Sequence, residues 1–426
     1  MIGALALGGY LLAICLMICQ SLFNIRLRLF IWEDPSRARL NLSPERFVAP
    51  SVSFTVLLPA RHEEAVIAET IDMVCRANYP RELIEVFVIC EQGDHGTIAR
   101  VREKLAEPGT ERVRLIIFDD GPINKPHGLN KGLARATHDV VTIFDAEDEP
   151  HADIFQIINT TMATETVEVV QGGVHLMNYD SRWFSALNVL EYFFWFKSAL
   201  HYFGWSGMVP LGGNTVFVRR EMLQALGGWD ERCLTEDADV GIRLSAAGAR
   251  IRVICDDEHV TREETPATIA ALVKQRTRWN QGFLQVLLKG DWRRLPTRTQ
   301  RLLAAYVLMT PFIQGLFTLL MPVSLAMILL VKLPVWLALI TYVPLYVFVL
   351  QACLDVAGLF EFVRVQKRAF SWRAVCTTAL GFFPYQFLLA VAALRAVVRH
   401  ARGQNNWEKT AHAGLHRQTR PARSAA

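Results

Sequence analysis

None of the eight cysteines forms a C-x-x-C pair, so neither a zinc module nor a disulfide framework is expected, and a reducing setting suits the globular part. His62, His95 and His127 lie too far apart for the His-x-x-x-His spacing of a helical zinc site. The globular stretch carries no basic stripe, which sets nucleic-acid binding aside. No internal repeat or long low-complexity run is present, which argues against a solenoid. Most telling is the missing charge: Met1–Ile25, Leu302–Val331, Leu333–Leu354 and Ala374–Leu394 contain no Asp, Glu, Lys or Arg.

Each of these stretches is long enough, or nearly so, for a helix crossing ~30 Å of hydrocarbon. A hydrophobic content of 52% and a mean hydropathy of +0.22 agree with membrane spans, and 426 residues suggest two or three structural units. The first stretch lacks a basic residue before its apolar core and a small-x-small cleavage site, so it reads as a retained anchor rather than a signal peptide. The net charge of +4 conceals an asymmetry: from Glu361 onward eleven Lys/Arg face two acids. That basic end suits anionic lipid headgroups, or is a solvated tail. The expected division is an anchor over 1–25, a globular domain over 26–300, a second membrane region over 301–398 and a basic tail over 399–426.

Between the first two apolar stretches the chain has an α/β rhythm. Strand patterns at 53–58, 84–90, 113–118 and 139–144 alternate with helical patterns at about 63–76 and 128–136. Such alternation implies a mostly parallel, Rossmann-like sheet covered on both faces, with ligands beyond the carboxyl ends of its strands. Arg61, Glu63, Glu91, Asp94 and Asp145 fall at those ends.

Asp145-Ala-Glu147 closes the strand at 139–144 and puts two carboxylates on one side. Such a pair suits Mg2+ or Mn2+ with open positions for diphosphate oxygens, although D-A-E-D-E-P is also an ordinary solvated turn. Glu91 and Asp94 are placed to accept from a base edge and ribose hydroxyls, or are solvated acids of a turn. Thr235-Glu236-Asp237 opens a helix, where acids are also favoured by the helix dipole. Gln275-x-x-Arg278-Trp279 clusters on one helical face: Arg278 suits a diphosphate, with Gln275 beside it, and Trp279 suits a sugar face or a core position.

The order and spacing of these motifs over about residues 50–290 resemble the processive-type family-2 glycosyltransferases, the group of cellulose, hyaluronan and chitin-oligosaccharide synthases. The resemblance implies a GT-A domain performing an inverting, metal-dependent hexosyl transfer from a nucleotide-diphosphate sugar, UDP-linked, to a saccharide or lipid-linked acceptor. Asp237 would be the base, with Glu236 beside it. Pro59, Arg61 and Glu63 resemble the loop along the nucleotide. Lys125 would meet phosphate and Asn130 would brace the site. Gly213, Asn214 and Thr215 would shape the acceptor pocket with Trp279, extended by Tyr192, Phe193, Phe194, Trp195 and Trp205 unless these face the membrane. Where many relatives have Asp-x-Asp this chain has Asp-x-Glu, and a Cys90-Glu-Gln-Gly-Asp94 turn replaces their Asp-Asp-Gly-Ser type. A membrane nucleotidyltransferase, or a nucleotide-binding transporter or sensor, is the alternative; Asp355 and Glu361 near one span are the hint of transport.

Cytosolic nucleotide-sugars, together with Arg26, Arg28, Arg37 and Arg39 after the first span, imply a multi-pass inner-membrane protein with a cytoplasmic domain. Three further full spans would place the tail outside, against Arg395, Arg399, Arg402 and Lys409. Pro384, beside Gly381, is therefore expected to break the last segment into a re-entrant or interfacial helix, keeping the tail cytoplasmic. Trp407-Glu-Lys-Thr-Ala-His412 resembles a tail motif of related bacterial enzymes. Few spans are present to enclose a polymer channel without an oligomer or export partner.

Overall fold

The computed structural model describes residues 2–330, 335–406, 408 and 417; the Trp407–His412 motif and Lys409 lie outside these, apart from Glu408. The chain runs through α1 (Ile2–Leu29) and α2 (Pro35–Leu40), then β1 (Phe54–Pro59), α3 (Ile67–Cys75), β2 (Ile84–Glu91), α4 (His95–Leu105), β3 (Val113–Phe118), α5 (Lys125–Leu133) and β4 (Val140–Ile143). Next come α6 (Ile154–Thr164), β5 (Val169–Gly172), β6 (Val174–Leu176), α7 (Ser185–Phe194), α8 (Leu200–Ser206), β7 (Val216–Arg219), α9 (Arg220–Ala225), α10 (Glu236–Ala246), β8 (Ile251–Ile254) and β9 (Thr261–Glu263). The remainder is helical: α11 (Ile269–Lys289), α12 (Arg298–Leu330), α13 (Val335–Val365) and α14 (Trp372–Ala401).

Seven strands form one sheet in the order β3-β2-β1-β4-β7-β5-β8, and β6 pairs with β9 in a small second sheet. Only β7 runs against its neighbours β4 and β5, so the main sheet is mostly parallel. The unbroken apolar run of β1 reflects burial on both faces. Phe54, Val56 and Leu58 pack with Ile67 and Ile71 of α3 and Phe155 of α6, while Leu57 points to the other face with Ile89, Leu129 and Leu133. Helix α5 starts three residues earlier than its apolar pattern suggests: the Asn124 side chain accepts from the His127 amide and Pro126 occupies the first turn. That places Lys125 at the helix N-terminus, beside the carboxyl ends of the strands.

The apolar cluster on the Leu57 face continues without a break into Leu27 of α1 and Leu303, Ala304, Val307 and Leu308 of α12. The membrane-type helices therefore rest directly on the sheet domain. Among the described residues, four helices are long and apolar enough to cross a membrane: Leu11–Trp32, Arg298–Pro322, Tyr342–Val365 and Trp372–Ala401. Helix α13 ends against the domain, where Gln366 Nε2 donates to Asp257 O at 3.0 Å and Lys367 pairs with Glu258 at 3.1 Å. The expected break at Pro384 is absent: α14 is one helix of 30 residues through that proline. Both of its ends nevertheless meet the sheet domain. Near the start Tyr179 donates to Ala369 O and Ala374 packs with Leu190 and Phe193; at the end Arg399 Nε donates to Gln281 Oε1 of α11 at 3.1 Å.

Candidate active site

A cavity of about 520 Å3 opens at the carboxyl ends of β1, β2 and β4 and runs on between the membrane-type helices. Asp145 and Glu147 follow β4 and meet Glu263 at the end of β9; one carboxylate oxygen from each lies within 4.8 Å of the others. A backbone bridge between Glu149 and Arg262 brings the two segments together. Behind them the buried Asp148 accepts from the Asp145 amide at 2.7 Å and from Asn214 Nδ2 at 2.9 Å. Asn214 Nδ2 also reaches Glu263 Oε1 at 3.2 Å. Burial, reinforced by the neighbouring carboxylates, pushes the Asp148 and Glu263 acids well above the usual range. An all-oxygen set of this kind, held by a second layer of hydrogen bonds, fits Mg2+ or Mn2+.

Lys125 joins the two acidic motifs. Its Nζ lies 2.6 Å from Asp145 Oδ1 and 3.8 Å from Glu236 Oε1, and donates to Gly213 O at 3.0 Å. Its ammonium is thus already engaged by carboxylates, at the edge of the expected phosphate position. Glu236 and Asp237 occupy the first turn of α10. Burial, with Asp237 adding to it, raises Glu236 to about 7 against the opposing charge of Lys125. Burial also raises Asp237, while the Ala238 amide, Lys125 and Arg278 pull it down. Glu236 is buried and Asp237 is the more open of the two.

Helix α11 begins at the capping residue Thr268, whose hydroxyl accepts from the Ala271 amide, and lays Gln275, Arg276, Arg278 and Trp279 along the cavity. Its closeness to the acidic turn depends on Gly282: a Cβ there would come within 2.6 Å of the Thr235 backbone nitrogen, one residue before Glu236. Gln275 Oε1 and Arg61 Nε are buried without a hydrogen-bond partner among the described residues, and both residues line the cavity. Arg276 is paired with Glu191 and lies over the Trp279 ring, 4.6 Å from its centroid, with Tyr192 at 6.0 Å on the ring.

Of the residues singled out from sequence, Pro59, Arg61, Glu63, Glu91, Lys125, Asp145, Glu147, Gly213, Asn214, Glu236, Asp237, Gln275, Arg278 and Trp279 line this cavity. Three others do not. Asp94 is buried and accepts from the His62 amide at 2.6 Å and the Thr97 amide at 3.3 Å, capping α4 instead of facing a ribose. Asn130 clasps the Gly227-Gly228-Trp229 turn: it accepts from the Trp229 amide and donates to Trp229 O and Glu231, each at 2.9 Å. Gly228, at φ +74°, has no room for a Cβ against Asn130 Oδ1. Thr215 is fully buried, bonded to Thr261 Oγ1 at 2.8 Å. Among the aromatics, Tyr192, Phe194 and Trp195 line the cavity, Phe193 is core, and Trp205 is 73% exposed. Glu263 was missed because it stands in no motif whose spacing announces it, while Asp148 and Arg276 lie inside the two quoted motifs at positions whose bracing contacts only the fold reveals. Asp355, the hint of transport, is paired with Arg28.

Oxygen ligands at the carboxyl end of β4, a carboxylate pair opposite them and a deep cavity between make this a GT-A nucleotide-sugar fold. The chain belongs to the glycosyltransferase family described as "Glycosyltransferase like family 2", whose model matches residues 50–282. It is 28% identical over 270 residues to a beta-monoglucosyldiacylglycerol synthase of Synechocystis sp., covering 62% of this chain and 54% of that protein. It is 25% identical over 284 residues to a poly-beta-1,6-N-acetyl-D-glucosamine synthase of Staphylococcus epidermidis, covering 66% and 65%. The chain thus spans only part of the length of the curated relatives it matches. A mannosyltransferase of Pyrobaculum calidifontis, solved with GDP-Man and Mn2+, shares the fold at a TM-score of 0.51 and 19% identity, covering 91% of this chain and 99% of that one.

Proposed function

We propose that this protein is a membrane-seated, inverting glycosyltransferase that moves a hexosyl unit from a nucleotide-diphosphate sugar, UDP-linked, to a hydroxyl of a saccharide or lipid-linked acceptor. The observation that carries this reading is the opening of the three-carboxylate cluster and Asp237 onto one cavity that continues between the membrane-type helices. Arg61, Glu63, Glu91, Gln275 and Arg278 all line this cavity, and in this reading the first three would meet the nucleotide and the last two the diphosphate. Asp145, Glu147 and Glu263 would hold Mg2+ or Mn2+, which when bound supplies positive charge to the diphosphate as the leaving group departs.

Asp237 takes the proton from the acceptor hydroxyl. The oxygen attacks the anomeric carbon opposite the diphosphate, whose C–O bond breaks with its electron pair going to the nucleotide, so the configuration inverts. Arg278 orients the diphosphate through its planar fork, and Trp279, fixed under Arg276 and beside Tyr192, offers a flat face to the acceptor sugar. The acceptor reaches Asp237 from the membrane side, past Asn24, Thr310, Gln314, Gln351 and Gln386, whose neutral hydrogen-bonding groups line that end of the cavity.

The contacts at both ends of α14 support a tail on the same side as the catalytic domain, with α14 lying across the membrane-facing side of that domain. The inner membrane and a cytoplasmic catalytic domain complete the reading. Transfer and donor hydrolysis, measured with a panel of UDP- and GDP-sugars with and without Mn2+, test it. Metal-dependent turnover of one donor is expected, and no turnover of any donor would overturn it.

A further inference from the structure

The Glu149–Arg262 bridge has a second cluster on its far side. Their backbones exchange two hydrogen bonds of 3.0 Å, and this pairing is the pivot between two chain segments. On one side, Glu147 and Glu263 enter the catalytic cluster. On the other stand His151, four residues after Glu147, and His259, four residues before Glu263, joined by Asp153. Potential ligand atoms of His151, Asp153 and His259 all lie within 4.8 Å of one another, and the two rings sit 4.8 Å apart edge to face.

The surroundings orient these groups. His259 Nδ1 is 3.0 Å from Asp256 Oδ2; donating there leaves the lone pair on Nε2, the arrangement by which a carboxylate sets a ligating imidazole. Asp153 occupies the N-cap position of α6, yet its side chain makes no capping bond; Asn78 Nδ2 holds its Oδ1 at 2.6 Å. His151 Nδ1 receives the Asp153 amide at 3.2 Å, a contact a cation would replace. All three side chains keep about a third of their surface open to solvent, which leaves an entry path.

We propose that His151, Asp153 and His259 form a second cation site, for a borderline-soft divalent ion of the Zn2+ type, that clamps the two segments delivering the catalytic carboxylates. Two imidazoles and one carboxylate, with water in the fourth position, are a zinc-type donor set, whereas the catalytic cluster offers oxygen alone. A cation there cross-links residues more than a hundred apart in sequence next to the pivot, and so fixes the separation of Glu147 and Glu263.

Untagged full-length protein in detergent, stripped with EDTA, tests the site with Co2+ as probe. The background is D145N/E147Q, which removes the oxygen cluster, with His412 and His416 changed to Ala because their spacing is itself a metal-binding pattern. One equivalent of Co2+ is expected, with the visible bands of a four-coordinate nitrogen site, displaced by Zn2+, and Zn2+ should raise the melting temperature. His151→Ala with His259→Ala should abolish the bands and the thermal shift. His259→Gln is the milder variant if that pair fails to fold, and Asp256→Asn should weaken binding by about 10–100-fold. Absence of the bands in the background protein, or their survival in the folded histidine variants, would overturn the proposal.

Discussion

At the scale of single residues, the chemistry turns on how many carboxylates one small volume holds. Lys125 stands between Asp145 and the Glu236–Asp237 pair, and its charge opposes the burial that raises both acids of that pair. Asp237→Asn should keep donor binding and lower transfer by about 10^2–10^4-fold, read from isothermal binding beside turnover. The acid limb of kcat/KM should lie above the ordinary carboxylate value of ~4. Lys125→Met should move it higher still, because the Lys125 charge holds both acids down. Asp148 and Glu263 bind protons in the folded state that they release when unfolded, so metal-free stability should fall as pH rises above the ordinary carboxylate range. Mn2+ should offset that fall, and Glu263→Gln should flatten it and weaken the Mn2+ response. Thermal melts across pH with and without Mn2+ decide both points. Glu263 was invisible in sequence because it stands 116 residues after Glu147, in a Thr-Arg-Glu-Glu run that looks like any polar strand end. Asp94 misled in the opposite direction: its turn chemistry was legible, but a carboxylate beside a helix start serves its amides first.

At the scale of elements, α11 and α14 carry the link between chemistry and membrane. Gly282→Ala should push α11 away from Thr235, because the added methyl would meet that backbone and its side chain within 2.6 Å. The expected cost is about 1–3 kcal/mol of stability, with a clear drop in turnover and little change in secondary structure by circular dichroism. Helix α14, ~45 Å long at 1.5 Å per residue, packs along the domain from Ala374 to Arg399. Arg395 and Arg399 pair with Glu408 at 2.7 and 3.0 Å, which ties the last turn of α14 to the segment after it. A reporter fused after Arg402 should show the cytoplasmic type of activity. Periplasmic-type activity would mean that α14 crosses. The charge rule led to a cytoplasmic tail by way of a break at Pro384, and the continuous helix does not contain that break.

At the scale of the whole molecule, the cavity sets what the product is. Phe348, Phe382 and Tyr385 belong to an apolar cluster with Met17 and Met321 packed against it, which joins side chains of α1, α12, α13 and α14. A growing neutral sugar chain would have to pass those side chains, so one or a few additions per acceptor are expected. Sizing of radiolabelled product decides it, and a long ladder would show that the cluster opens.

The sequence by itself determined the element types and the family resemblance. Apolar runs without alternation specified a parallel sheet, absent charge marked the membrane-type helices, and Asp145, Glu147, Asp237 and the Gln275–Trp279 face stood out by their side chains and fall on one cavity. Only the tertiary structure decided the reversed strand β7, the third carboxylate Glu263, the diversion of Asp94 and Thr215 to bracing, and the continuity of α14 through Pro384. Periodicity is a local property, set by bonds between near neighbours. Which side chains meet across a hundred residues, and whether an apolar helix crosses or lies along a surface, depends on packing between elements that no single segment encodes.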